Sequence, residues 1–297
     1  MTSDEARERS RVHFEAEEFD ASLREALSGL DSSPQDVSLL VLAGRAGVEV
    51  DSAEAVEHLR RATELAPEDA GAWHHLGEAL AAEGLTLEAG EAFRRAVELD
   101  PQDNVALTHL GHTSLAAGRD QEGVGYLAQA AGSVDGASTA AISLVDMYRS
   151  FGQNEEALAQ ARRLVDAAAD DIPAWIDVAE LSLAVGELDE ARVAFERLRD
   201  LDEVPGHEAY PLHGLMRVEI GREQWAAAEA LAVQSAAIDP QGLGVDVIAF
   251  LRAQRGEEGQ EPVPTRAQVE ESLDASLSEY RRMHADDRRL QARENLG

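Results

Sequence analysis

The sequence predicts an all-α fold of helical hairpins repeated every 34 residues. Three observations predict it. Gly84, Gly118, Gly152 and Gly186 stand 34 apart, with Gly221 following at 35. Small residues recur at about the same interval at Ala55, Ala89, Gly123, Ala157, Ala191 and Ala226. Leu42, Leu76, Leu110, Leu144 and Val178 mark an apolar face ahead of each glycine. A glycine can end a helix in the left-handed conformation. A small residue shortly afterwards lets the next helix pack closely against the first. One such hairpin cannot bury both of its faces, so neighbours must stack on it.

The best-formed unit lies at 70–103. Trp73, Leu76 and Leu80 share one helical face at i, i+3, i+7, and Ala89, Phe93, Ala96 and Val97 share another. Gly77 and Ala89 leave room for close backbone approach. Pro101 has no amide hydrogen and cannot continue the second helix. The order Trp73, Leu76, Gly77, Leu80, then Ala89, Phe93, Ala96 and Pro101, resembles a tetratricopeptide repeat. Leu80 stands where that family usually has tyrosine. The resemblance implies a right-handed superhelical solenoid of hairpins and a role in protein–protein recognition. It covers 36–240 firmly and the ends loosely.

In order along the chain, 1–35 reads as a degenerate N-terminal repeat whose second helix carries Phe19, Ala21, Leu23 and Leu27. The array proper, 36–240, reads as six units. The first helix of 36–69 is expected to be short, interrupted by Gly44 and Gly47. The unit 104–137 is the weakest, because Gly123 and Gly125 sit inside its second helix and AAGSVDGAS replaces the closing proline. It is a candidate flexible seam. Trp175, Val178, Ala191 and Phe195 restore the pattern, and 207–240 is looser. An additional helix follows at 241–256, then a Gly/Pro linker at 257–264. Thr265 and Gln268 form a capping-box pattern that opens a last helix at 265–297. Val269, Leu273, Leu277 and Tyr280 line one face of it, which marks it as a cap for the array. Its end beyond Met283 is polar and expected to fray.

Composition narrows the function. The chain has 297 residues, 58 acidic against 26 basic, for a net charge of −32. Phosphate backbones and anionic membranes are repelled by such a surface, so neither nucleic acid nor membrane is an expected partner. All the basic residues are arginine and there is no cysteine, which removes Schiff-base lysines, P-loop lysines and thiolate chemistry. The arginine-only bias points to a GC-rich bacterial genome. The charged N-terminus is not a signal peptide, and no run approaches 18 apolar residues. The expected location is the cytoplasm.

No nucleophile elbow, phosphate loop or H-E-x-x-H string is present, so no enzyme and no cofactor is expected. In the family it resembles, first helices line a concave groove. Its outward positions here are His74, Glu78, Thr108, His112, Ile142, Asp146, Ile176 and Glu180, flanked by His75, His109, Ser143 and Asp177. The expected partner-binding groove is therefore His74, Glu78, His109, His112, Ile142, Asp146, Ile176, Asp177 and Glu180. The family's charged clamp of lysine, asparagine and arginine is absent. The wall is acidic with apolar residues between, which suits an Arg- or Lys-rich protein or peptide segment. The reading is thus of an adaptor or scaffold. An alternative from another class is a metal-binding protein or metalloenzyme built on His74, His75, His109 and His112 with Glu78; no metal site is assigned.

Overall fold

In the computed structural model, which describes residues 2–132, 137–201, 209–257 and 263–294, the chain is all-α. It divides into two compact units, residues 1–140 and 141–297.

Unit 1 is a run of hairpins: α1 (Ser3–Glu15) with α2 (Phe19–Ser32), α3 (Val37–Glu49) with α4 (Ala55–Leu65), α5 (Ala70–Ala82) with α6 (Thr86–Leu99), and α7 (Asn104–Ala116) with α8 (Asp120–Ala131). Each helix packs on the next, and α3 also packs on α1 and α5. Odd-numbered helices are the first helices of their hairpins. Aspartates start three of them: Asp36, Asp69 and Asp103 accept hydrogen bonds from the amides of Leu39, Ala72 and Ala106. Each such cap is worth about 1 kcal/mol. Trp73 is half-buried and its indole N–H donates to the carbonyl of Pro67, tying the turn to the helix after it.

Close approach within the hairpins depends on glycine. A Cβ at Gly77 would lie 2.6 Å from Phe93, and one at Gly111 would lie 2.7 Å from Leu127. Gly44 does the same for Leu59, so α3 is unbroken where an interruption was expected. Around these contacts Leu59, Leu76, Leu80, Ala89, Phe93, Ala96 and Leu110 form one buried cluster. α8 is likewise continuous through Gly123 and Gly125. The expected seam runs on into 133–136, which lies outside the described residues.

Unit 2 contains most of α9 (Ala137–Ser150), then α10 (Asn154–Ala167), α11 (Ile172–Val185), α12 (Leu188–Leu201), α13 (Ala209–Gly221), α14 (Trp225–Ile238), α15 (Leu243–Gln254) and α16 (Arg266–Glu294). Asp171 caps α11, and Trp175 repeats the Trp73 contact by donating to the carbonyl of Ala169. α16 opens with the expected box: the Thr265 amide donates to Gln268 Oε1, and the Gln268 amide to Thr265 Oγ1. Its backbone is helical to Glu294, past the point where fraying was expected. Part of the expected linker, 258–262, lies outside the described residues.

Gly84, Gly118, Gly152 and Gly186 all take left-handed φ between +71° and +84°. The interval changes after them. Among the described residues the next left-handed one is Glu223, 37 residues beyond Gly186, and not Gly221. The helix–helix contact of this hairpin moves with it: Ala228 is fully buried while Ala226 is exposed. At the other end Asp51 precedes Gly84 by 33, and Ala43 is fully buried where Leu42 was expected.

Candidate partner-binding face

The predicted groove residues divide between the units. His74, Glu78, His109 and His112 belong to unit 1; Ile142, Asp146, Ile176, Asp177 and Glu180 belong to unit 2.

In unit 1 the residues come together as a hydrogen-bonded network. His74 on α5 bonds through Nδ1 to Asp103 Oδ2 at 2.6 Å and through Nε2 to Glu78 Oε1 at 3.1 Å. His75 bonds through Nδ1 to Glu78 Oε2 at 2.8 Å. Asp103 thus caps α7 with one oxygen and holds α5 with the other. Burial alone would lower the His74 imidazole, but its two carboxylate partners override this and lift it to about 9. Glu78 is held well below the carboxylate range: burial raises it, and the hydrogen bonds from His74 and His75 outweigh that. His109 goes the other way. Its ring stacks on Phe93 with centroids 4.7 Å apart, and burial pushes it down to about 4. Burial also lowers His112.

The ligand atoms of His74, His75 and Glu78 lie within 4.8 Å of one another. An imidazole lifted to about 9 carries its proton at neutral pH, and a metal ligand must shed it. His109 is turned onto Phe93. The arrangement gives the metal alternative no support.

In unit 2 the positions behave differently. Asp146 is exposed and Ile142 is half-buried. Ile176 and Asp177, expected to face outward, are 2% and 4% exposed. Glu180 is mostly covered too, and burial raises its carboxyl despite nearby arginines. Two arrangements lie beside these residues. Arg149 of α9 lies between the carboxylates, 3.1 Å from Asp177 and 3.2 Å from Glu180. And α16 packs across the first helices α11, α13 and α15.

That docking uses the row of positions predicted to face a partner. Counted back from the left-handed residue, His74, Thr108 and Ile176 lie ten places before it, and Glu78, His112 and Glu180 lie six before. The three-residue shift in the last hairpin puts His213 and Arg217 at those places. Both meet α16: His213 Nδ1 lies 2.8 Å from Ser276 Oγ, and Arg217 Nε lies 2.9 Å from Asp274. Arg281 approaches Glu180 at 3.5 Å. Val247 and Leu251 of α15 join Val269 and Leu273 in a buried cluster. The C-terminal helix therefore covers apolar surface as expected, and does so along the first-helix row.

A tetratricopeptide repeat family profile matches residues 51–104, the stretch that includes α5 and α6. Solved tetratricopeptide structures share the fold. A repeat protein from Parabacteroides merdae matches at 12% identity and a TM-score of 0.52, over 84% of this chain and 98% of that one. The C-terminal part of a repeat-containing protein from Cytophaga hutchinsonii matches at 13% identity and 0.63, over 82% and 99%. No curated protein matches. The fold is the all-α superhelical repeat fold of the tetratricopeptide repeat proteins, and residues 51–104 match that family's profile. Proteins of this class generally act as protein-interaction scaffolds. Among the described residues, no helix is long and apolar enough to cross a membrane.

Proposed function

We propose that the chain is a cytoplasmic adaptor or scaffold, not an enzyme, that holds an arginine- or lysine-bearing segment of a partner protein in the groove lined by its first helices. The observation that carries the proposal is the contact of Arg281 with Glu180, an arginine of an amphipathic helix lying along the first-helix row. In unit 1 the same row carries His74, Glu78, Thr108 and His112. There two carboxylates, Glu78 and Asp103, face one imidazolium, so the patch keeps a negative balance that favours a cation. The acidic excess of the chain adds steering for basic partners and repels nucleic acid and anionic membranes.

The test is affinity capture from the source cell, followed by titration of the captured segment at rising salt. Changing Glu78 and Asp146 to the amides should weaken binding several-fold and flatten its salt dependence. Unchanged affinity with unchanged salt dependence would move the search to the second helices.

A further inference from the structure

The first-helix face of unit 2 holds a helix whose fit is incomplete at one end. Along most of α16 the seating is good. Val269, Leu273 and Leu277 are at most 3% exposed, and Asp274 and Ser276 have partners on α13. At the α11 end the chemistry changes. Only 12% of the Glu180 side chain is exposed. Its Oε2 accepts from Arg149 and lies near the Nε edge of Arg281. Among the described residues its buried Oε1 has no hydrogen-bond partner, and neither has the hydroxyl of Tyr210, a residue 3% exposed. Unpaired buried polar atoms carry a desolvation penalty. The two together, one of them an oxygen of the Glu180 carboxylate itself, mark a site whose polar demand α16 does not meet.

We propose that the α11, α13 and α15 face is a helix-binding site that α16 fills in the absence of a partner. The partner is an amphipathic helix with apolar residues spaced as Val269, Leu273, Leu277 and Tyr280, followed at once by an arginine that engages Glu180. Arginine is specified over lysine because its planar fork matches a carboxylate with two parallel hydrogen bonds, whereas an ammonium is a point charge. Because α16 is tethered, it competes at a high effective concentration, and an external helix gains access when that advantage is removed. The inference rests on the reading of the first-helix face as an interaction surface.

The experiment places a protease site between residues 258 and 262 and cuts the folded full-length chain. The probe is a fluorescein-labelled synthetic peptide of residues 263–282. After dilution the cut protein should bind it at least tenfold more tightly than the uncut chain. Glu180→Gln in the cut protein should weaken binding at least fivefold. A peptide carrying Arg281→Lys should weaken similarly, while Arg282→Lys should not. The proposal is overturned if α16 fails to exchange after cutting, or if helicity collapses on its release, since either makes it a permanent part of the fold. Equal affinity for the Arg281→Lys peptide overturns the arginine assignment. A concentration-dependent dimer seen by light scattering would make a second copy the occupant instead. None of these failures touches the capture test on Glu78 and Asp146, which sit on other helices.

Discussion

Tyr280 of α16 lies flat on Tyr210 of α13, with 3.8 Å between ring centroids and 14° between planes. The pair closes the apolar stripe that begins at Val269. Stacked aromatics add to what their burial already contributes. Tyr280→Ala should therefore destabilise the seating of α16 by about 3 kcal/mol. Hydrogen exchange should quicken along 266–282 first, with unit 1 unaffected. Unchanged exchange there would show that the stack contributes nothing to docking.

Arg149 is the second expected weak point. It is the shared partner of Asp177 and Glu180, and its side chain is 15% exposed. Removing one member of a buried charge cluster leaves the others less compensated, which costs up to about 3–5 kcal/mol. Arg149→Met should unfold unit 2 at clearly lower urea. In a Glu180→Gln background the same change should cost less, because one stranded charge is gone. Additive losses would mean that Arg149 and Glu180 do not interact.

Unit 1 should be most stable near pH 6.5. His74 is raised from 6.5 to about 9, so its contribution is complete below 6.5 and is lost as pH rises through 9. His109 is lowered from 6.5 to about 4, so the unfolded chain binds its proton first and stability falls as pH drops from 6.5 to 4. Glu78 and Asp103 are held low, adding a further loss on the acid side below their unfolded values. Urea midpoints at pH 5, 6.5 and 9 should trace this dome. His74→Gln should flatten the alkaline limb and leave the His109 part of the acid limb. An alkaline limb unchanged in that variant would remove His74 from the account.

The glycines of α8 separate two effects. A Cβ at Gly125 meets nothing within 4 Å, so Gly125→Ala should stabilise by about 0.5–1 kcal/mol through helix propensity. At Gly123 a Cβ would lie 2.6 Å from Leu115 and 2.9 Å from the Gly111 carbonyl oxygen. Gly123→Ala should therefore destabilise, by about 1–3 kcal/mol. Thermal melts of the two single variants should move in opposite directions; a shift of both the same way would show that packing does not set the difference.

The sequence by itself determined the hairpin and its period, because those depend on local chemistry. A left-handed glycine, an apolar face at helical spacing and an aspartate cap each act within a few residues, and Gly84 to Gly186 keep their interval. It also placed the apolar stripe of the last helix, Val269 to Tyr280, which is buried. What it did not determine is where that stripe docks. Val269 to Tyr280 could have lain on any apolar surface. Only the tertiary structure sets it against α11, α13 and α15 and so brings Arg281 to Glu180. The shift that brings His213 and Arg217 into the row was illegible for a related reason. Gly221 offered a plausible stop at 35, but Glu223 takes the left-handed turn and Ala228 becomes the buried small residue. The partners of Asp177 and Glu180 were hidden likewise, since Arg149 lies 28 and 31 residues away and only the tertiary structure brings them together. Short-range sterics wrote the repeat; long-range burial chose which of its faces stayed open.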